Sequence, residues 1–167
     1  MFKDMNSLET VQRRATKFIL NDYSSDYKSR LLSLHLLPLM MFYELQDLAF
    51  FVHSLKNPNN SFDILSHVQF CNNRSTRSAT FNKLKVCQPS KSTHLNHFYF
   101  KRLVHLWNSL PPMDLNKSFD SIYLKIKSVF WTKFMESFDS SNLCTFLYHC
   151  SCSKCSYSPF PPTFKHH

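Results

Sequence analysis

The chain has 167 residues, a formal net charge of +9 and no glycine. Average proteins carry about 7 % Gly, and P-loops, dinucleotide-binding turns, EF-hand loops and the aromatic RNA-binding signature all need its backbone freedom. Those sites are therefore excluded. Hairpins built on Asn-Gly or Asp-Gly are excluded too, which argues against an all-β fold.

The longest apolar run, Leu36 to Tyr43, is much shorter than the roughly twenty residues of a membrane-spanning helix. The N-terminus lacks the apolar stretch of a signal peptide. We therefore expect an intracellular protein, cytoplasmic or nuclear, that does not bind a membrane. In such a compartment the six Cys are expected to be free thiols or metal ligands rather than disulfides.

Apolar residues at helical spacing predict a first helix from about Ser7 to Leu20. Asn6 and Glu9 have the spacing of a capping box, which would satisfy free N–H groups at the start of this helix. The apolar side chains form one stripe, made of Leu8, Val11, Ala15, Phe18 and Ile19. Three cations fall roughly on the opposite side, namely Arg13, Arg14 and Lys17.

Two more helices are predicted before residue 57. A short one runs from Asp26 to Leu34. Pro38 is suited to a first helical position and opens the other, which extends to about Lys56. The latter has an apolar seam of Met41, Leu45, Leu48, Val52 and Leu55, and we expect it to be the most buried helix.

Residues 61–97 are the least periodic part and form a basic irregular segment. Within it we expect one helical turn in residues 61–67 and a short strand in residues 81–86. A helix then begins near His97 and is stopped by two prolines at 111 and 112. Its apolar face consists of Leu103, Leu106, Trp107 and Leu110, and this register predicts that Trp107 packs in the core.

A last helix is predicted from Phe119 to Phe138, with Ser118 as its N-cap. Lys133 falls inside its apolar stripe, where a long side chain reaches solvent by snorkelling. Together these patterns predict a mainly α protein of four or five helices packed by their apolar faces. They divide the chain into a helical domain, residues 1–140, and a Cys-, Ser- and Pro-rich tail, residues 141–167.

The positive charge is concentrated in the second part of the chain. Residues 1–70 carry seven basic and seven acidic residues, whereas residues 71–167 carry thirteen and four. Between Asp63 and Asp114 there is no acid, and this gap contains seven cations, including Arg74, Arg77, Lys83, Lys85, Lys101 and Arg102. A field of one sign favours polyanions, so these residues are candidates for binding RNA or DNA.

Five strings in chain order resemble the C-terminal region of reverse transcriptases from LINE-type (non-LTR, jockey-like) retrotransposons. They are LETVQRRATKFI at 8–19, YKSRLLSLHLLPL at 27–39, ELQDLAFFVHSLK at 44–56, TRS at 76–78 and FYFKRLVHLWNSLP at 98–111. The resemblance covers about residues 5–140. The helix start Val-Gln-Arg-Arg, the repeat Arg-Leu-x-x-Leu and the motif Trp-Asn-x-Leu-Pro are specific in combination.

The resemblance implies a non-catalytic piece of an RNA-directed DNA polymerase. In that family the metal-holding carboxylates come from an upstream Phe/Tyr-Ala-Asp-Asp motif, and two-metal chemistry needs such a pair. This chain has no two adjacent acidic residues. We therefore expect a fragment of a transposable element without enzymatic activity, whose partners include nucleic acid and the polymerase domains that precede this region in the family.

A Cys/His cluster near the C-terminus, at residues 149–155, suggests a metal site. Its thiols are Cys150, Cys152 and Cys155. Thiolate and imidazole suit tetrahedral zinc, and Cys152-x-x-Cys155 has the spacing of half a site. The second half is missing from the pattern, so we expect a tail with free thiols and no cofactor, and a zinc site is the alternative.

Two functions of different classes remain open at this point. The first is nucleic-acid contact through the basic segment, through the aromatic residues 98–100 beside Lys101 and Arg102, or through Arg13, Arg14 and Lys17. The second is a small α-helical module that binds another protein and whose basic charge is incidental.

Overall fold

The computed structural model describes residues 2–57, 63–71, 82–87 and 99–136, and this part of the protein is mainly helical, as predicted. Its helices are α1 (Phe2–Leu20), α2 (Tyr27–Ser33), α3 (Leu39–Lys56), α4 (Tyr99–Ser109) and α5 (Phe119–Glu136). A 3-10 helix (Ile64–Ser66) and two strands, β1 (Val68–Phe70) and β2 (Leu84–Val86), lie between α3 and α4. None of the described helices is long and apolar enough to cross a bilayer.

The chain forms two compact units. Residues 1–44 and 130–167 make the first unit, and residues 45–129 make the second, so α3 and α5 contribute to both. The boundary predicted at residue 140, like the tail that follows it, lies outside the described residues.

Two helices end on residues that replace the usual glycine. Asn21 has φ 49° and His35 has φ 53°, the left-handed conformation of a helix C-terminal cap. After α1 the N–H of Asp22 donates to the carbonyl of Lys17 at 3.1 Å, and after α2 the N–H of Leu36 donates to the carbonyl of Leu31 at 2.9 Å. Each helix therefore closes with the long backbone bond of a Schellman motif.

The predicted capping box of α1 is wrong. The helix already begins at Phe2, so Asn6 lies inside it and Glu9 is far from its first turn. The side chain of Glu9 is instead fully buried, at 0 % exposure. Its Oε1 accepts a hydrogen bond from the hydroxyl of Tyr27 at 2.6 Å, and its Oε2 accepts one from the N–H of Met40 at 3.3 Å.

Glu9 shares the start of α3 with Gln12. The Oε1 of Gln12 accepts from the N–H of Leu39 at 3.0 Å, and its Nε2 donates to the carbonyl of Leu37 at 3.2 Å. Leu39 and Met40 are the first residues of α3, and their N–H groups have no acceptor within their own helix. Side chains of α1 thus supply the N-terminal cap of α3.

The rest of the inward side of α1 is polar as well. Thr16 is buried, and its hydroxyl accepts from Nε of Arg30 at 3.4 Å. Arg30 is itself buried and donates to the carbonyl of Ser25. The guanidinium of Arg13 lies 4.3 Å from the ring centre of Tyr27. These contacts fix the rotation of α1 about its axis.

The apolar stripe of α1 consequently faces outward. Four of its members are exposed large hydrophobic residues: Leu8 at 43 %, Val11 at 63 %, Phe18 at 80 % and Ile19 at 64 %. The expectation that this stripe packs into the protein is wrong, because α1 buries its polar side instead. The sequence pattern predicted correctly which residues form the stripe, but it predicted the wrong side of α1 to face inward.

The other predicted apolar faces are buried, except that Leu55 at the end of the α3 seam is half-buried. Along α3, residues Met41, Leu45, Leu48 and Val52 are buried. The first unit also buries Tyr27, Leu31, Leu37, Met40, Phe130 and Phe134. The second unit buries Phe51, Leu103, Leu106, Trp107, Leu110, Ile122 and Ile126, among others.

The irregular segment contains a two-stranded sheet of which only one strand was expected. β1 and β2 are antiparallel, with Val68 opposite Val86 and Phe70 opposite Leu84. β2 falls within the strand predicted at residues 81–86, and the 3-10 helix falls within the turn predicted at residues 61–67. β1 was not predicted; it forms by pairing with β2, which lies 14 to 18 positions further along the chain.

The helix α5 begins at its predicted N-cap, with the N–H of Ser121 donating to Oγ of Ser118 at 3.4 Å. Lys133 lies half-buried in its stripe, and burial lowers the pKa of Lys133 to about 8 although Glu44 acts in the opposite direction. At the described end of α5, the carbonyl of Met135 accepts from Nζ of Lys28 at 2.7 Å.

The Glu9 carboxyl gives the folded protein a testable dependence on pH. Burial raises its pKa above the ordinary 4.5, against the opposing effects of Tyr27 and the N–H of Met40. A raised pKa in the folded state stabilises fully below 4.5, and this contribution is lost as the pH rises through the raised value. In urea unfolding, wild type should lose stability relative to Glu9→Gln as the pH rises above about 4.5. The exposed Glu136→Gln is the control, and a wild-type advantage that grows with pH would contradict the assignment.

Trp107 tests the packing of the second unit. It is 3 % exposed, its ring meets that of Phe51 edge-on at 5.0 Å between centres, and its Nε1 donates to the carbonyl of Asn82 at 2.8 Å. Trp107→Ala should reduce the free energy of unfolding by about 3–5 kcal/mol. An unchanged melting temperature would show that Trp107 does not pack in the core.

Candidate nucleic-acid interface

The candidate interface lies in the second unit, where α4 holds β2 by one asparagine side chain. Oδ1 of Asn108 accepts from the N–H of Leu84 at 2.8 Å, and Nδ2 of Asn108 donates to the carbonyl of Leu84 at 2.9 Å. The amide thus pairs with the strand as a neighbouring strand would. The bond from Trp107 to Asn82 fixes the residues that enter β2.

The pairing of Asn108 with Leu84 brings together a group of basic side chains that we call the basic face: Lys83, Lys85, Lys101 and His105. Lys85 follows the buried Leu84 in β2, so it points to the opposite side of the strand. Lys83 precedes the strand, and its Nζ donates to the carbonyl of Asn108 on α4. Lys101 and His105 share one side of α4 with Asn108, by their spacing of four and three residues. Because Asn108 binds Leu84, both pairs belong to one region.

The members of the basic face differ in their exposure and in whether they already form hydrogen bonds within the protein. Nζ of Lys83 donates to the carbonyl of Asn108, and burial lowers the pKa of Lys83. Lys85 is exposed, and its ammonium has no side-chain partner within the part of the chain that the structure describes. His105 is exposed and Lys101 is half-exposed. Lys85 is therefore the cation best placed to meet a phosphate.

Arg102, also a predicted contact, is engaged within the protein. Its NH2 lies 2.6 Å and its Nε 2.8 Å from Oδ2 of Asp47 on α3. The hydroxyl of Tyr99 donates to the carbonyl of the same Asp47 at 3.1 Å. Burial raises the pKa of Asp47 more than the guanidinium lowers it. A phosphate at Arg102 would have to compete with this ion pair.

The aromatic residues predicted to contact bases are used internally where they are described. Phe100 is buried, and its ring stacks on that of His67 with 4.3 Å between centres and 16° between planes. Tyr99 meets Phe50 edge-on at 6.0 Å. Stacking on nucleic acid needs an accessible ring face, so neither ring is placed for it.

The structure puts the remaining predicted contacts elsewhere. Arg13, Arg14 and Lys17 are on α1 in the first unit; Arg14 is exposed, while Arg13 lies over the ring of Tyr27. Arg74 and Arg77 lie outside the described residues, so their role stays a prediction.

The predicted zinc ligands Cys150, Cys152 and Cys155 also lie outside the described residues. Within residues 2–57, 63–71, 82–87 and 99–136, no group of three or more His, Cys, Asp or Glu could hold a metal ion. Cys71 and Cys87 in this part are half-buried free thiols.

Sequence reasoning missed the partners that decide which cations remain available. Asp47 and Asn108 appear in the sequence as an exposed helical acid and a polar residue before a proline stop. Their roles depend on residues 55 and 24 positions away in the chain. The sequence pointed to Asn108 only through its place next to Trp107 in the Trp-Asn-x-Leu-Pro motif.

Comparison with protein-family models, curated proteins and solved structures gives no match to this chain.

Proposed function

We propose that this chain is a non-catalytic, nucleic-acid-contacting segment similar to the C-terminal region of a non-LTR retrotransposon reverse transcriptase. The observation that supports this most directly is the basic face, where Lys83, Lys85, Lys101 and His105 are held on one region by the Asn108–Leu84 pairing. Cations gathered on one surface bind a phosphate backbone by releasing its counterions.

The charge balance of the second unit supports the same proposal. Its described residues contain eight Lys or Arg and four Asp. Of these acids, Asp47 is paired with Arg102, and Asp63 caps the 3-10 helix through the N–H of Leu65 at 3.1 Å. Polyanion binding therefore meets little local repulsion. The proposed location is inside the cell, where RNA and DNA are found.

The proposed binding recognises the backbone of the nucleic acid rather than its sequence. Phosphate contacts fix position and carry no base information, whereas base readout needs side chains presented to a groove or to unstacked bases. Where the aromatic run is described, its rings pack against His67 and Phe50. Single-stranded and double-stranded nucleic acid of any sequence should bind with similar affinity.

Salt dependence tests this proposal. Fluorescence anisotropy with labelled RNA and DNA from about 50 to 300 mM salt should give a log–log slope of roughly −3 to −5, corresponding to about four to six phosphate contacts. Lys85→Gln with Lys101→Gln should make the slope shallower by roughly 1.5, since each contact contributes about 0.7 to 0.9. Arg102 is left intact because its loss would break the pair with Asp47.

A matched control removes the same charge elsewhere in the second unit. Lys117→Gln with Lys127→Gln changes two other lysines at exposed positions and should leave the slope near the wild-type value. The proposal would be contradicted if both double variants made the salt-dependence slope equally shallow, or if no binding were seen at the lowest salt. Loss of binding only with Arg14→Gln and Lys17→Gln would move the contact to α1.

The absence of polymerase activity is a separate prediction. No two acids are adjacent in this sequence, and the two-metal mechanism needs carboxylates that hold ions about 3.5–4 Å apart. The purified chain should incorporate no nucleotide on a primed RNA template with Mg²⁺ or Mn²⁺. A mock preparation is the control, and template-dependent incorporation above it would contradict the prediction.

A further inference from the structure

We propose that the outward side of α1 is a docking surface for a helix of another protein, one with an apolar seam flanked by acidic side chains. The surface, called the α1 stripe, consists of Leu8, Val11, Ala15, Phe18 and Ile19. Its large members are 43–80 % exposed. Contiguous apolar surface of this kind on a folded protein typically marks an interaction site.

The exposure of the α1 stripe is enforced by the opposite side of the helix. Glu9 and Gln12 bind the first N–H groups of α3, and Thr16 binds Arg30. Rotating α1 to bury the stripe would leave these buried polar groups without hydrogen-bond partners. The stripe is therefore held outward by the folded first unit.

The spacing of the stripe fits a helix as its occupant. Leu8, Val11, Ala15 and Phe18 are separated by three, four and three residues, the a and d positions of two heptads. Ala15 is small and sits between larger neighbours, which leaves room for a side chain of a facing helix. A helix lying in a membrane surface instead uses bulky apolar side chains along its whole buried side.

The charged side chains near the stripe indicate which side chains would flank the apolar seam of the partner helix. Of the three cations predicted roughly opposite the stripe, Arg14 is exposed and lies nearest to it, about 40° from Phe18 at 100° per residue, whereas the half-exposed Lys17 lies further round the helix. Neither has a side-chain partner within the described residues. Glu9 is the only acid among residues 6–20, and it is fully buried. Within residues 6–20, the charged side chains at the accessible surface are thus cations. This part of a second copy of α1 would bring only further cations, whereas acidic flanks would complement Arg14.

The test uses the full chain and two fluorescent peptides of three heptads each, with Leu at every a and d position. One peptide carries Glu and the other Lys at every e and g position, which also keeps each peptide from pairing with itself. By anisotropy the Glu peptide should bind about tenfold tighter than the Lys peptide. Arg14→Glu with Lys17→Glu should reverse this preference.

The stripe variants are Val11→Glu and the milder Phe18→Ser, both at exposed positions, and each should weaken the Glu peptide about tenfold. Leu124→Glu on α5 is the matched control, because Leu124 is 62 % exposed and Val11 is 63 % exposed. This control should bind like wild type. Circular dichroism should show unchanged helix content in all variants.

Four results would each overturn the proposal. The first is that neither peptide binds wild type, and the second is that both bind equally. The third is a mass of two chains by light scattering that Val11→Glu returns to one, which would make a second copy the occupant. The fourth is stripe-dependent binding to phosphatidylcholine–phosphatidylserine vesicles without peptide binding, which would make a lipid surface the occupant.

Discussion

The buried carboxylate of Glu9, together with the amide of Gln12, is the constraint on which the first unit depends. The two side chains satisfy the first N–H groups of α3 and so decide which side of α1 faces inward. Turning α1 to bury the apolar stripe would leave several buried groups unpaired, among them Arg30 and the Tyr27 hydroxyl, at about 1–3 kcal/mol each and more for a charged group. These buried groups keep their partners only with the polar side of α1 inward.

The second unit relies on the same kind of bond, between a side chain and the main chain. Asn108 pairs with both backbone groups of Leu84, and Trp107 reaches the carbonyl of Asn82. Asn82 has φ 51° and takes up the backbone conformation that glycine usually supplies at the start of a strand. A chain without glycine can therefore still make sharp changes of direction, with Asn and His in left-handed positions at a moderate conformational cost.

These bonds also separate structural cations from available ones. Arg102 and Lys83 lie in the basic segment, yet the first is paired with Asp47 and the second donates to Asn108. Lys85 is exposed on the same region. The proposed nucleic-acid contact and the proposed helix docking thus use different surfaces, the basic side chains of the second unit and the exposed apolar side chains of the first.

The sequence by itself determined the mainly α fold class, the positions of five helices and most of the core, because 3.6-residue periodicity is a local property that survives without tertiary information. The seam of α3 and the apolar face of α4 are confirmed for this reason. Only the tertiary structure decided the direction of the α1 stripe, the pairing of β1 with β2 and the engagement of Arg102. Each depends on partners far along the chain, such as Met40 for Glu9 and Asp47 for Arg102, which stand 31 and 55 residues away. Periodicity shows that a helix has two unlike sides, but buried hydrogen bonds decide which side turns inward.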